Sequence, residues 1–393
     1  MTTILTGDCR EVLPTLADAS VNCCVTSPPF LWLRDYGIPA SDWPEVTFMP
    51  MIGLPAVTIP AGRDVLGLEA DPLTYIGHLV TVFREVRRAL RDDGTLWVEI
   101  GDGYANCGGV GRQGKNGVRV QRRHTQVNLQ RNRSVHGLKG KDLIGVPWRL
   151  ALALQADGWY LRTEIVWYKL NPMPESVKDR PTRTHSYIFL LAKAERYWYD
   201  EKAISEPCST DTHARYGRGR SGAHKYADGG PGGHTIARTF DHIPGVNPKA
   251  QRRPRGRQEG PGAHDTIPRG SYPRVKQNES FATATLGPVL RRNSRTVWPI
   301  AIRGSREAHY ATYTAEVPKR CILAGCPQGG TVLDPFGGSG TTGAVAEVLG
   351  RNSILIELNP KYVEMAKRRT AQGGLFCRAN APAHLPGGET NHE

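Results

Sequence analysis

Most of the chain alternates short apolar runs with segments in which apolar residues recur every three or four positions. The short runs predict buried β-strands, and the longer spacing predicts helices with one buried face. Residues 72–90 show the clearest helical pattern, because their apolar side chains fall on a single face. The same criteria predict strands at 20–25, 95–101, 160–168, 331–334 and 352–357, a further apolar run at 187–193, and helices at 146–156, 315–324 and 341–349. Strands that alternate with helices are typical of an α/β sheet.

Two segments lack this pattern and carry most of the positive charge. Residues 106–141 contain nine Lys or Arg and no Asp or Glu, and residues 201–296 contain 17 basic against 8 acidic residues. The formal charge of the 393-residue chain is +14, so the remainder is slightly acidic. Such local cation density favours contact with a polyanion over the alternative of two solvated loops. Nucleic acid is the preferred polyanion, and an anionic membrane surface is the second choice.

Further features limit the class of protein. No apolar run approaches the ~20 residues that span a bilayer, and the start MTTILTGD lacks the basic and apolar regions of a signal peptide. We therefore expect a cytoplasmic protein without a membrane partner. The eight cysteines are scattered and form no pairs with zinc-ligand spacing, so we expect reduced thiols and no metal site.

A glycine-rich turn joins a strand to a helix at residues 331–349, and the next strand ends in Glu357. Glycines at the carboxyl end of a parallel strand let a ligand approach the backbone, and an acid at the end of the next strand can bind ribose hydroxyls. The turn lacks the Gly-Lys-Ser/Thr of a phosphate-binding P-loop, which favours a nucleoside without a phosphate chain. A plain turn followed by a solvated glutamate is the alternative.

Two motifs resemble those of DNA amino-methyltransferases. The run DPFGGSGTT at 334–342 resembles their S-adenosylmethionine loop, and TSPPF at 26–30 resembles their catalytic tetrapeptide. The catalytic motif comes first and the cofactor loop last, an order similar to the β group of these enzymes. The resemblance implies a Rossmann-like α/β methyltransferase fold with a mainly parallel, seven-stranded type of sheet, a circularly permuted motif order and an inserted target-recognition region.

The resemblance also divides the chain into parts. In chain order these are the first catalytic part (1–105), a basic flexible insertion (106–141), the rest of the catalytic part (142–200), the target-recognition region (201–296), the S-adenosylmethionine-binding part (297–375) and a flexible tail (376–393). The implied partners are double-stranded DNA and a cognate restriction endonuclease, in a bacterial or phage-encoded system. The oligomeric state is left open.

The resemblance assigns cofactor contacts residue by residue. Asp8 corresponds to an acid near the adenine, and a helix cap before residues 10–16 is the alternative interpretation. Asp334 corresponds to the residue beside the methionine amino group, Phe336 to the residue that packs on the cofactor, and Glu357 to the ribose acid. The remaining predicted cofactor contacts are Thr312, Tyr313, Gly338, Gly340 and Thr341.

The tetrapeptide suits the chemistry of amine methylation. An exocyclic base amine is a poor nucleophile because its lone pair is delocalised, so a catalyst has to accept its N–H groups and orient the nitrogen. Ser27 Oγ and the Pro28 carbonyl are such acceptors, and Pro29 stiffens the link. The target base has to leave the duplex, and Phe30 would stack on it. Trp167 or Tyr168 would cover its other face; for Phe30 and Trp167, plain packing is the alternative.

Ser27 also bears on which amine is methylated. Serine at the first position resembles the cytosine-N4 type, whereas aspartate there is mostly found in adenine-N6 enzymes, so adenine stays as the alternative. Methylation at cytosine C5 would need a cysteine nucleophile, and the sole Pro-Cys pair, Pro207-Cys208, lies in the basic region. An RNA methyltransferase and a DNA-binding protein without catalysis are the remaining alternatives. The intact motifs argue against the latter.

Overall fold

The computed structural model describes residues 1–105, 137–208, 291–302 and 314–371. The chain divides into two compact units, one formed by Met1–Ile204 with Ser294–Glu393 and the other by Ser205–Asn293. In the second unit, the described strands Glu206–Pro207 and Arg291–Arg292 pair antiparallel. Most of both basic segments lies outside the described residues, so the predicted roles of 106–141 and 201–296 stay predictions.

The first unit is built on an eight-stranded sheet. In chain order the described strands of the chain are β1 Thr2–Thr6, β2 Val21–Thr26, β3 Ser41–Trp43, β4 Val46–Phe48, β5 Val57–Ile59, β6 Gly62–Asp64, β7 Leu90–Ile100, β8 Tyr160–Lys169, β9 His185–Ala192, β10 Glu206–Pro207, β11 Arg291–Arg292, β12 Val297–Ile300, β13 Thr331–Asp334 and β14 Asn352–Glu357. The sheet order is β1-β14-β13-β2-β7-β9-β8-β12, and only β9 pairs antiparallel with its neighbours. This confirms the mainly parallel α/β fold and adds β12 as an eighth strand, parallel to β8.

Helices cover both faces of the sheet. The described helices are α1 Cys9–Val12, α2 Pro72–Ala89, α3 Val146–Ala156, α4 Glu316–Gly325, α5 Thr341–Val348 and α6 Pro360–Ala371. Alternate residues of β7 belong to different cores: Leu96 and Val98 pack with α2 and α3, whereas Trp97 packs with α4. This alternation follows from the period of two in a strand, and it gives the three-layer architecture of the predicted class.

Local sequence explains the boundaries of α2. Asp71 accepts hydrogen bonds from the Leu73 and Thr74 amides, and Pro72 occupies the first helical position, where no backbone donor is needed. The buried face then runs from Tyr75 to Val86, as the apolar spacing predicts. None of the described helices is both long and apolar enough to cross a membrane.

The central pair of strands, β13 and β2, positions the site. From β13 the chain continues to β14 on one side, and from β2 it proceeds to β7 on the other, so the strand order reverses between them. Their ladder contains two residue pairs, Val332 with Cys23 and Leu333 with Cys24. Open α/β sheets bind ligands in the crevice that such a reversal creates at the carboxyl ends of the strands. Both sequence motifs leave the sheet at this crevice.

The structure departs from the sequence predictions in a few elements. Helix 146–156 and strands 331–334 and 352–357 have the predicted bounds. The sequence pattern did not indicate the sheet strands β1 and β12, the two small antiparallel pairs β3–β6 and β4–β5, or α6, and β7 begins at Leu90 instead of the predicted 95. The strands of these pairs have three residues each, too few for a periodicity to show. The six described cysteines are free thiols.

Candidate active site

A cavity of about 320 Å³ lies at the carboxyl ends of β2 and β13. One side is formed by the catalytic motif, Ser27 to Phe30, and the other by the glycine turn from Pro335 to Ser339. The ends of β7, β8 and β14 contribute Glu99, Trp167, Lys169 and Glu357. The two motifs, 300 residues apart in the chain, therefore open into one space.

Ser27 is held by a carboxylate that the sequence analysis did not identify. Its hydroxyl donates a hydrogen bond of 2.6 Å to Glu99 Oε2. Glu99 lies near the end of β7 and is buried. Because the serine proton points to Glu99, the lone pairs of Ser27 Oγ are available to an N–H donor in the cavity. The pair thus turns Ser27 into an oriented acceptor.

The environment of Glu99 favours proton uptake. Burial raises the pKa of its carboxyl group, and the nearby Lys169 cation and the hydrogen bond from Ser27 oppose that rise. Lys169 lines the same cavity, with its Nζ 4.9 Å from the centre of the Trp167 ring. A carboxyl group with a raised pKa, bonded to a serine that faces a pocket, has the properties of a proton acceptor.

The Pro-Pro link is fixed from behind. The Tyr75 hydroxyl of α2 donates a 2.7 Å hydrogen bond to the Pro29 carbonyl. Gly67, with φ of +88°, packs so closely that a Cβ there would stand 3.2 Å from the Phe30 carbonyl oxygen. The Phe30 ring lies over Gly101, where a Cβ would come within 2.7 Å of the ring. A larger side chain is therefore excluded at both glycines, and close packing supports the motif from two sides.

The two aromatic candidates on β8 point in opposite directions. Trp167 lines the cavity, is 3% exposed and donates a 2.9 Å hydrogen bond from Nε1 to the Ile300 carbonyl. Tyr168 is 43% exposed and does not line the cavity. Successive strand residues face opposite sides of a sheet, so the structure brings only Trp167 together with Phe30.

The glycine turn is built on Glu357. Its two carboxylate oxygens accept from the Gly338 amide at 2.8 Å and the Asn359 amide at 2.7 Å, and burial raises its pKa. Phe336, Gly338 and Thr341 line the cavity as predicted positions. Arg369 of α6 donates hydrogen bonds of 2.8 Å to both Ser339 and Thr341 and so ties the turn to that helix.

Asp8 is the helix cap that the sequence allowed, and it also lies on the cavity wall, where its predicted contact with the adenine stays a prediction. It caps α1 by accepting from the Arg10 amide. Burial would raise its pKa, but hydrogen bonds from Arg10 outweigh this and the pKa is lowered, so the group is an anion. The Arg10 guanidinium in turn stacks 3.9 Å over the ring of Trp43, another residue of the cavity wall.

Several predicted contacts are not brought into the cavity. Asp334 is buried and bonded to other side chains of the protein, and Gly340 packs against α6, where a Cβ would stand 2.8 Å from Ala366 Cα. Neither residue lines the cavity. Thr312 and Tyr313 lie outside the described residues.

Sequence reasoning missed several residues of the cavity wall. Tyr36 and Tyr362 line it, with ring centres 6.4 Å apart, and burial raises the pKa of Tyr36. Lys169 and Glu99 were also missed. For Glu99 a signal was present, since it is the only charged residue in the predicted strand 95–101, close to the carboxyl end where ligands bind.

Comparisons with known proteins agree with this arrangement. A family model described as DNA methylase, covering N6 and N4 methyltransferases, matches residues 21–368. The chain is 36% identical over 369 residues to the Type II methyltransferase M.Cfr9I of Citrobacter freundii, covering 93% of this chain and 87% of that protein. It is also 36% identical to the Type II methyltransferase M.SmaI of Serratia marcescens, covering 93% and 89%.

Among solved structures, the fold is similar to that of the PvuII DNA methyltransferase, which is described as cytosine-N4-specific. The TM-score is 0.52 at 15% sequence identity, with 94% of this chain and 86% of that chain covered. At this identity the likeness concerns the fold.

Proposed function

Because this chain belongs to the DNA methylase family of N6 and N4 methyltransferases, we propose that it transfers a methyl group from S-adenosylmethionine to the N4 amine of a cytosine flipped out of duplex DNA. The family makes it a DNA amino-methyltransferase, and the choice of cytosine N4 is the proposal. The observation that carries it is the Ser27 hydroxyl, oriented by Glu99, in one cavity with the glycine turn.

The cavity suits S-adenosylmethionine by the chemistry of its wall. Asp8 and Glu357 offer carboxylates to the hydroxyl and amino groups of a nucleoside, and carboxylates favour a cation. Phe336, Tyr36 and Tyr362 add aromatic surface. A Cβ on Gly338 would meet nothing nearer than Phe336 O at 3.8 Å, so the missing side chain leaves backbone open to a ligand. When bound, the cofactor supplies an electrophilic methyl group.

The residues of the chain supply the acceptor side of the reaction. Ser27 Oγ accepts one N–H of the target amine, and the Pro28 carbonyl accepts the other, so that the nitrogen lone pair is directed at the methyl group. As the nitrogen gains its methyl group it becomes cationic and its N–H becomes acidic. That proton passes to Ser27 Oγ while the serine proton passes to Glu99, whose raised pKa favours uptake.

Phe30 and Trp167 are assigned to the target base. Both line the cavity beside Ser27, and aromatic faces replace the stacking that a flipped base loses. Ser27, rather than aspartate, at the first position of the motif supports cytosine N4 over adenine N6. Sequence recognition is assigned to residues 201–296 and additional phosphate contact to residues 106–141, both on the grounds of their charge.

The test is methylation of duplex DNA by the purified protein with isotopically labelled S-adenosylmethionine. Digestion of the product to nucleosides should give labelled N4-methylcytosine and no labelled N6-methyladenine. Under the same conditions the Ser27→Ala variant should incorporate only a small fraction of that label. Labelled N6-methyladenine would replace the proposed target by the alternative. Incorporation into RNA but not into duplex DNA would overturn the proposed substrate.

A further inference from the structure

The crevice between β2 and β13 is bridged by side chains at the point where the strand ladder stops. The last paired residues are Leu333 and Cys24. Beyond them, Thr26 Oγ1 donates a 2.6 Å hydrogen bond to Asp334 Oδ1, between residues 308 positions apart in the sequence. A buried side-chain bond therefore continues the connection that the backbone no longer makes.

Asp334 also holds the glycine turn. Its Oδ1 accepts from the Phe336 amide at 3.1 Å, and its Oδ2 accepts from Thr342 Oγ1, the second residue of α5, at 2.6 Å. Asp334, Thr26 and Thr342 are all buried. Both carboxylate oxygens are thus engaged by the protein: Oδ1 accepts from the catalytic strand and from the turn, and Oδ2 accepts from the helix that follows the turn.

From these contacts we propose that Asp334 is a positioning residue that fixes the separation between the catalytic motif and the glycine turn. The inference rests on the proposed function, because that separation matters if the two motifs hold the two reactants. Thr26 directly precedes Ser27, and Phe336 is part of the cavity wall on the opposite side. One carboxylate therefore sets both sides of the reaction space relative to each other.

The effect on rate follows from geometry. Reacting atoms have to approach to about 3–3.5 Å, and a misplacement of ~1 Å costs up to about 10²-fold in rate. The hydrogen bonds from Thr26 and Thr342 to this carboxyl group are short, 2.6 Å each, and burial shields them from water. This role differs from the one that the resemblance implies for Asp334, which is direct contact with the cofactor. If Asp334 contacted the cofactor, its loss would lower the affinity for the cofactor. If it bridges to Thr26, loss of the bridge lowers the rate of methyl transfer at saturating cofactor.

Isosteric substitutions separate the two ends of the bridge. Thr26→Val removes the bond to the catalytic strand and keeps the side-chain shape, and Thr342→Val removes the bond to α5. Thr26→Ser keeps the hydroxyl and is the rescue variant. Thr81→Val is the matched control, because Thr81 bonds only within α2, to the Gly77 carbonyl, away from the cavity.

We expect Thr26→Val to slow single-turnover methylation about 10- to 100-fold at saturating cofactor, with the Kd for S-adenosylmethionine changed less than about threefold. Thr342→Val should weaken cofactor binding more than it lowers the saturated rate. Thr26→Ser and Thr81→Val should keep both near the unaltered values. In the cofactor-free protein, hydrogen exchange at the Phe336 amide should quicken in Thr26→Val, because its acceptor carboxylate loses an anchor.

The outcomes separate this inference from the proposed function. If the unaltered protein methylates DNA and Thr26→Val does so at a normal rate, the bridge has no positioning role. Loss of cofactor affinity in Thr26→Val equal to the loss of rate would assign Asp334 to cofactor binding instead. If the unaltered protein itself fails to methylate, the proposed function fails, and unchanged exchange at Phe336 in Thr26→Val would independently overturn the bridge.

Discussion

Ser27 illustrates how a single hydroxyl gains a defined role from its surroundings. Its proton is directed to Glu99, so its lone pairs are available to an N–H donor, which in the proposed function is the target amine. We expect Ser27→Ala to lower the single-turnover rate by about 10²–10³, or ~2.7–4 kcal/mol in the barrier, as for other preorganised polar contacts. Affinities for cofactor and DNA should change little, because the interaction strengthens mainly in the transition state. Stopped or quenched single-turnover assays beside equilibrium titrations give both quantities. A variant with near-normal rate would contradict the role of Ser27.

The charge of Glu99 has opposite effects on catalysis and on stability: it serves as the proposed proton acceptor, but its burial destabilises the fold. Burial raises the pKa of its carboxyl group above the ordinary 4.5, so the folded protein takes up this proton more readily than the unfolded chain. The contribution of Glu99 to stability is therefore fully present below the ordinary pKa and is lost as pH rises through the raised pKa. Removing the charge should therefore raise stability at neutral pH, and it should also remove the proposed proton acceptor.

For Glu99→Gln we accordingly expect a Tm equal to or above that of the unaltered protein at neutral pH, with a difference that grows as pH rises from about 4.5. Methyl transfer should slow about 10²-fold or more, and the acid limb of the pH–rate profile should disappear. Glu347→Gln, at an exposed position of α5, is the control for loss of one carboxylate. A large loss of stability in Glu99→Gln would indicate a structural role instead.

At the scale of elements, the glycine turn contains glycines with two different functions. Gly340 is the N-cap residue of α5 with φ of +81°, and a Cβ there would lie 2.8 Å from Ala366 Cα in α6. Gly338 also has positive φ, +50°, but faces open space. The first glycine allows two helices to pack, and under the proposed function the second leaves its backbone open to the cofactor.

Alanine at each position should separate these functions. Gly340→Ala should reduce the free energy of unfolding by about 2–5 kcal/mol, since a left-handed conformation costs ~1–2 kcal/mol and overpacking adds ~1–3 kcal/mol. Gly338→Ala should cost about 1–2 kcal/mol and weaken cofactor binding, because its Cβ enters the cavity. Denaturant titration and cofactor binding test the pair. If Gly340→Ala and Gly338→Ala were equally stable and lost cofactor affinity equally, both glycines would contact the cofactor and the distinction would be wrong.

At the scale of the whole molecule, the charge distribution predicts how DNA binding responds to salt. Each phosphate contact lowers log K by roughly 0.9 per unit of log salt. Deletion of residues 111–140, which carry eight of the basic residues, should flatten this slope and leave the methylated sequence unchanged. Replacement within residues 201–296 should change or abolish site choice. Salt titrations of DNA affinity with base-resolution mapping of the product measure both. An altered site after the first deletion would show that the two segments share recognition.

The sequence by itself determined six of the eight strands of the sheet, all but β1 and β12, and the two motifs on which the proposed chemistry depends. Strand and helix periodicity is a property of neighbouring residues, so 146–156, 331–334 and 352–357 were predicted with their bounds. The catalytic and cofactor motifs are contiguous as well, and each lies at a strand end that the apolar pattern defines. Family membership and the α/β fold followed from the same local information, and the comparisons confirmed both.

Only the tertiary structure decided which side chains meet across the sheet. Glu99 reaches Ser27 because β7 lies beside β2, and Asp334 reaches Thr26 because β13 lies on the other side. The order of strands arises from burial summed over the whole core, which no local pattern contains. The same holds for the direction of a side chain, since Trp167 and Tyr168 are adjacent in sequence yet face opposite sides of β8. Residue types and motifs are local, whereas the partner of a buried polar group depends on the fold as a whole.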